Sequence, residues 1–309
     1  MRSILYIINP FSGTRPSAFA KASADKKKDV QQIIEKKTKD AGIPFRIFPS
    51  VANGDYSFLY PVIKEEKISD VVIAGGDGTV SQVVNSLMDC EVNFGIIPCG
   101  SGNGLAYTAK IPKYAVKALD VVFNGKPIAI DGFSLNNHFA CMLCGLGFDA
   151  KVAHDFAQQP QRGLATYVRQ VVKNFFSART YRFEITIKEK TFSADAYFIS
   201  IANSNQFGNN FTIAPRASLS DGLLDIVIVT RQNKLSWMLQ MLRQISGKNK
   251  PVPEMVINKG KAVIYFQTES THIKNLTHAP LHIDGEPAET PEQLTIEIKK
   301  KCFRLLQPL

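Results

Sequence analysis

The sequence predicts an α/β chain: an N-terminal domain on a parallel sheet, then a C-terminal antiparallel β-sandwich. Three observations predict it. In the first third, short apolar runs alternate with stretches of helical periodicity, the order that places helices on the faces of a parallel sheet. Beyond about Gly125 the texture changes to many short β-like runs separated by turn residues, as in a sandwich or barrel. The length of 309 residues suits one large domain or two ordinary ones.

The elements follow in order. Ser3–Ile8 is a short apolar run closed by turn residues, so a buried strand. Asp29–Ala41 reads as a helix, with Val30, Ile33, Ile34 and Lys37 on one face and Gly42 as its stop. Phe45–Phe48 and Val71–Ala74 are the next strands, Val80–Met88 a helix, and Phe94–Ile97 a fourth strand. After the boundary near 125–130, strands are expected at Ile128–Phe133, His138–Cys144, Arg182–Ile187, Phe192–Ala202, Leu224–Thr230, Ala262–Gln267, Leu281–Asp284 and Leu294–Ile298. Helices are expected at about Arg162–Ser177 and Lys234–Gly247. Arg15–Lys28 is rich in Ala, Ser and Lys. It suits a helix by propensity, but a mobile low-complexity insertion is the expectation for Arg15–Ser23.

Composition narrows the function. Hydrophobic residues at 45% and charged residues at 21% exclude wholesale disorder. No apolar stretch reaches the ~20 residues that cross a bilayer, and Ile4–Ile8 is too short for a signal-peptide core. Five cysteines, an odd number, point to a reducing cytoplasmic setting. The net charge of +10 favours anionic partners. No nucleic-acid signature accompanies it, so nucleic acid is not an expected partner.

Three glycine-containing turns carry the chemistry. They are Asn9-Pro10-Phe11-Ser12-Gly13, Gly75-Gly76-Asp77-Gly78-Thr79 and Gly100-Ser101-Gly102-Asn103-Gly104. Each follows an expected strand, and in a parallel sheet such ends converge on one ligand-binding edge. Glycines let backbone approach a phosphate, and N–H groups at a helix start point at the anion. None matches the Walker or Rossmann pattern. Asp77 would repel phosphate unless it binds Mg²⁺ or accepts a proton from a nucleophile.

With Asp221-Gly222-Leu223-Leu224-Asp225 and Ile283-Asp284-Gly285-Glu286, the ordered motifs resemble the lipid kinase family of diacylglycerol and sphingosine kinases. The resemblance covers nearly the whole chain. It implies an ATP-binding catalytic domain over 1–127, to which about Glu289–Leu309 returns, and a lipid-binding sandwich over 128–288. It implies that Asn9, Pro10, Ser12, Gly13 and Ser50 line the ATP site, that Gly75, Gly76, Asp77, Gly78 and Thr79 hold the phosphates, and that Ser101, Gly102 and Asn103 contact the nucleotide. It implies Asp77 or Glu286 as general base, Asp284 placing a catalytic Mg²⁺, and Asp221 with the carbonyls of Ser218 and Leu223 holding a second, structural Mg²⁺. It implies a membrane-resident substrate, diacylglycerol first and a sphingoid base second. The protein would be cytoplasmic, with peripheral contact to an anionic membrane; a homodimer is left open.

Departures bear on this reading. Gln82 stands where the family usually has Glu, and the Ala/Ser-rich segment follows the first loop. The third loop is of the sphingosine kinase form, yet Lys151 stands where the resemblance to those enzymes implies Asp. An NAD kinase-like soluble enzyme and a non-catalytic nucleotide- or lipid-binding module are the alternatives. Arg162, Arg169 and Lys173 suit anionic headgroups or a solvated helix face. The apolar run Trp237, Met238, Leu239, Met241, Leu242, Ile245 suits a core face or a membrane surface. Cys141-x-x-Cys144 reads as core rather than metal or redox site, and His272, His278 and His282 as a loop and strand rather than a metal triad.

Overall fold

The computed structural model describes residues 2–10, 20–159, 164–205, 213–231, 236 and 263–309. Its contacts divide the chain into two units, Met1–Ile130 with Lys301–Leu309, and Asp131–Gln159 with Leu164–Lys300.

The first unit is a parallel sheet. Strands β1 (Ile4–Ile8), β2 (Phe45–Pro49), β3 (Asp70–Gly75) and β4 (Asn93–Pro98) lie in the order β2-β1-β3-β4. All six residues of β3 are buried, and after the ion-paired Asp70 it reads as an unbroken apolar run from Val71. Helix α1 (Ala20–Asp40) joins β1 to β2, and α2 (Tyr60–Glu65) joins β2 to β3. Helix α3 (Asp77–Leu87) joins β3 to β4, burying Val80, Val83, Val84 and Leu87 at helical spacing. Helices α4 (Gly104–Thr108) and α5 (Ala115–Asn124) complete the unit.

Helix α1 corrects one expectation. It starts at Ala20, so 20–23 are helical rather than part of a mobile insertion. Ala and Lys propensity over a long window outweighs the low-complexity reading. Residues 15–19 lie outside the described ones.

The second unit is antiparallel. It holds β5 (Lys126–Leu135, entering from the first unit), β6 (His138–Ala140), β7 (Leu143–Gly147), α6 (Phe148–Ala157), α7 (Leu164–Phe176), β8 (Tyr181–Ile187), β9 (Lys190–Ala202) and β10 (Leu224–Thr230). Then come β11 (Val263–Thr268), β12 (Ser270–Asn275), β13 (Leu281–Ile283), β14 (Glu286–Ala288) and β15 (Gln293–Gln307). The 13-residue β9 pairs with β8 through its first half and with β7 through its second, while β10 lies along its other edge. Phe133, Phe183, Ile199, Ile226 and Phe266 sit at the centre of the core. Apart from residue 236, the expected helix at Lys234–Gly247 with its Trp237 stretch lies outside the described residues, as does Arg162.

Strand β15 belongs to both units. Its first half pairs antiparallel with β12, and Arg304 and Leu305 pair parallel with Asn93 and Phe94 of β4. The return to the first unit therefore begins at Lys301, not near Glu289, because residues up to Glu297 are held by the antiparallel ladder.

Candidate active site

In the first unit, strand register places the loops together. Ile8 pairs with Pro49 and Ala74, and Gly75 pairs with Pro98. Asn9, Ser50, Gly76 and Cys99 therefore leave the C-terminal ends of four adjacent strands. Asn9 N–H donates to the Ala74 carbonyl at 2.9 Å, and its side-chain amide donates to Thr79 Oγ1 at 2.7 Å. Ser50 N–H donates to Ile8 at 2.9 Å. A Cβ at Gly100 would lie 2.6 Å from Gly76 Cα, so the third loop touches the second. Only a glycine at 100 permits that approach.

Helix α3 begins at this junction. Its N-cap Gly76 is extended and offers no side-chain cap. The first-turn N–H groups of Asp77, Gly78 and Thr79 precede any intrahelical acceptor, so they face outward from the helix start as anion donors. Asp77 stands in that first turn, half-buried. Pro10 lies on the first loop, and Ser12 and Gly13 lie outside the described residues. Ser101 and Gly102 are half-buried in the third loop. Asn103 holds that loop from within: its Oδ1 accepts Gly100 N–H at 2.8 Å and its Nδ2 donates to the Gly100 carbonyl at 2.7 Å. Its backbone is left-handed at φ 57°. Gln82 is exposed, and its side-chain amide packs over Gly54, where a Cβ would come within 2.8 Å. The loop after β2 is fastened to α3 by Ser86, whose hydroxyl accepts Tyr56 N–H at 3.1 Å and donates to the Gly54 carbonyl at 3.2 Å.

In the second unit, Asp284 and Gly285 form the two-residue turn between β13 and β14. Both have positive φ, 47° and 83°, with Ile283 paired to Glu286 across it. Asp-Gly is the sequence a type I′ hairpin favours. The buried Asp284 carboxylate accepts N–H groups from Cys141 at 3.1 Å and from Met142 and Leu143 at 3.0 Å each. Glu286 is exposed, and no hydrogen bond or ion pair ties it among the described residues. Two carboxylates two residues apart thus differ completely in environment.

A second acidic group surrounds Asp221. Asp131 Oδ2 accepts Gly222 N–H at 2.7 Å, and Asp221 Oδ1 accepts Leu223 N–H at 3.1 Å. Asp225 is buried and accepts from Tyr265 Oη and, at 3.1 Å, Gln267 Nε2. Burial pushes the Asp225 carboxyl up to about 6, and the Asp221 charge adds to it. Asp221 is itself raised by desolvation and by Asp131. The Ser218 hydroxyl accepts Ser220 N–H at 3.4 Å. Asp131, Asp221 and Asp225 bring together carboxylate oxygens, the hard donor type that Mg²⁺ takes. Sequence reasoning missed Asp131, which no motif flags. Among the described residues no cluster of three His, Cys, Asp or Glu stands as a metal site by its own side chains. Cys141 and Cys144 are buried thiols that form no disulfide; the Cys141 thiol donates to Asp284 Oδ2 at 3.8 Å, and burial raises Cys144. His272 contacts Thr295 Oγ1 at 3.1 Å, whereas His282 is buried beside Asp149.

Comparison with known proteins decides the family. Residues 3–135 match the diacylglycerol kinase catalytic domain, and residues 143–307 match the YegS C-terminal NAD kinase beta sandwich-like domain. The chain belongs to the diacylglycerol kinase family of lipid kinases. As a kinase of this family it draws its phosphoryl group from ATP. Its relatives include a protein of Escherichia fergusonii named "Probable lipid kinase YegS", 27% identical over 87% of this chain and 88% of its own. The diacylglycerol kinase of Bacillus subtilis is 25% identical over 84% of each chain. Two solved structures from Bacillus anthracis str. Sterne share the fold at TM-scores of 0.76 and 0.69, each 18% identical and covering 99% of this kinase and 97% of itself; the second is a diacylglycerol kinase. Among the described residues no helix of the kinase is long and apolar enough to cross a membrane.

Proposed function

We propose that the kinase transfers the ATP γ-phosphoryl group to a hydroxyl of diacylglycerol, giving phosphatidic acid. The observation that carries the transfer is what meets at the α3 N-terminus: Asn9, at the start of the first loop, is fastened to Thr79, and Gly100 of the third loop lies against Gly76. Such a cradle binds phosphates by backbone N–H groups, and phosphoryl transfer depends mainly on positioning and charge neutralisation. The relatives named diacylglycerol kinase support the substrate.

Glu286 is the general base in this reading. It is an exposed carboxylate free to accept the lipid hydroxyl proton, whereas the Asp284 oxygens already accept three N–H groups. Asp284 then acts by holding the turn that presents Glu286. Asp77 would hold Mg²⁺ at the phosphates, and Asp221 with the Ser218 and Leu223 carbonyls would hold a second ion. When bound, Mg²⁺ neutralises charge on the transferring group.

The lipid is reached at a membrane surface. Helix α7 carries an exposed stripe of Val168, Val172 and Phe176, at 49%, 53% and 71% exposure. Arg169 and Lys173 stand beside it, while Gln170 and Asn174 are buried. Apolar residues outward with flanking cations suit an anionic interface.

The test is transfer of γ-labelled phosphate on mixed micelles, with diacylglycerol, sphingosine and dihydrosphingosine in parallel and NAD as a soluble control. Label in phosphatidic acid is expected. Label only in a sphingoid phosphate or in NADP would overturn the substrate assignment.

A further inference from the structure

We propose that Asp149 and His282 form a positioning pair for the hairpin that presents Glu286. Asp149 fixes which nitrogen of His282 carries the proton, and the other nitrogen holds the turn. The inference rests on Glu286 as base.

His282 lies on β13 and is 1% exposed. Its Nδ1 accepts the Gly285 N–H at 3.3 Å, and its Nε2 stands 3.5 Å from Asp149 Oδ2. A neutral imidazole has one donor and one acceptor nitrogen. If Nδ1 accepts from the turn, Nε2 carries the proton, and a carboxylate is the acceptor that selects this tautomer. The other Asp149 oxygen accepts Ala150 N–H at 2.8 Å, in the first turn of α6. The carboxylate is therefore anchored on a helix start while it faces the ring.

The surrounding backbone makes room for this pair. Gly145 of β7 stands opposite His282 in the ladder. A Cβ there would lie 2.0 Å from Asp149 Oδ2 and 2.6 Å from His282 Nε2. No other residue at 145 leaves both groups in place. The arrangement also costs stability, since burial raises the Asp149 carboxyl against the opposing effect of His282. A buried polar pair is weak as a source of stability; what it supplies here is orientation.

The orientation acts on the turn. The two-residue turn is held from both sides, Asp284 on the amides of 141–143 and Gly285 on His282 Nδ1. Glu286 is the next residue, so its backbone starts from a fixed point. A shift of about 1 Å at a reacting group can cost on the order of a hundredfold in rate.

Two neutral substitutions separate the contacts. His282→Asn places an oxygen where Nδ1 lies and keeps the turn acceptor. His282→Gln places its nitrogen toward Asp149 and loses the turn acceptor. The pair as proposed leaves kcat within about threefold in His282→Asn and lowers it about tenfold or more in His282→Gln, with KM for ATP unchanged in both. The reverse order, or equal losses, would overturn it, because pairing Asp149 would then be what matters. Nitrogen NMR of the labelled kinase reads the tautomer directly. Nδ1 as acceptor and Nε2 protonated is expected, with mixed tautomers in Asp149→Ala; a protonated Nδ1 in the native chain would refute the pair. The spectrum does not depend on Glu286, whereas unchanged turnover in Glu286→Gln would overturn the base assignment alone.

Discussion

Asp284 and Glu286 show how one motif divides its work. Removing the Asp284 carboxylate leaves three amide donors at 141–143 without their acceptor. Each buried unsatisfied group costs roughly 1–3 kcal/mol. Asp284→Ala should therefore lower stability by several kcal/mol, read as a fall in the denaturant midpoint. Glu286→Gln touches no such network. It should melt with the native chain and lose about a hundredfold or more in kcat. Matched losses of stability in both variants would contradict this division. Asp77→Asn belongs with Glu286: the fold should persist and turnover should collapse. Full activity in that variant would remove Asp77 from the phosphate site. The sequence displays Asp284-Gly285-Glu286 as a motif but not this division, because the partners of Asp284 are backbone groups some 140 residues away. Asp149 was equally hidden, since its partner His282 is distant in sequence and its room is made by the absent side chain of Gly145.

At the scale of elements, the acidic group around β10 and the stripe on α7 each make a prediction. The Asp225 carboxyl sits near 6, above its unfolded value of about 3.9. The folded state therefore binds this proton more tightly than the unfolded chain, and stability falls as pH rises from about 4 to about 6. The contribution is on the order of 3 kcal/mol. Asp225→Asn should flatten the melting temperature against pH over that window; an unchanged slope would remove Asp225 as its source. Above pH 7, Mg²⁺ should raise the melting temperature of the native chain and leave Asp221→Ala unmoved. For α7, Val168→Ser, Val172→Ser and Phe176→Ser combined should weaken sedimentation with phosphatidylglycerol vesicles while transfer to a water-soluble short-chain diacylglycerol is kept. Undiminished sedimentation would sink the interfacial role.

The same scale shows why some elements were legible and others were not. Strands β1 and β3 are short apolar runs, and α3 spaces Val80, Val83, Val84 and Leu87 at helical intervals, so both patterns are visible in sequence. Strand β12 escaped because two of its three inward residues are Thr271 and Asn275, with Ile273 the lone apolar one. The second half of β15 escaped because Lys299, Lys300 and Lys301 interrupt the apolar pattern while the backbone continues. Helix α6 escaped because its start, Gly147-Phe148-Asp149, resembles another turn.

For the whole molecule, β15 is a strand that contributes residues to both units. Lys301–Leu309 belong to the first unit, where Phe303, Leu305 and Leu306 are buried at 4%, 0% and 3% exposure. Phe303 meets Phe94 edge-on at 5.8 Å between ring centroids, and Leu305 pairs with Phe94 in the ladder. Burying each such side chain contributes about 1.5–3 kcal/mol, against a total domain stability of about 5–15 kcal/mol. A chain ending at Lys300 removes all three and exposes the β4 edge. Calorimetry should show the transition of the parallel-sheet unit shifted down or lost. The antiparallel unit keeps the β12 pairing through Glu297, so its transition should remain. ATP binding should disappear with the first transition, since Asn9, Ser50, Gly76 and Gly100 depend on that sheet for their register. If ATP still bound and both transitions persisted, the loop junction would not need the returning strand. The parallel sheet would then be complete at β4, and β15 would serve the antiparallel unit alone.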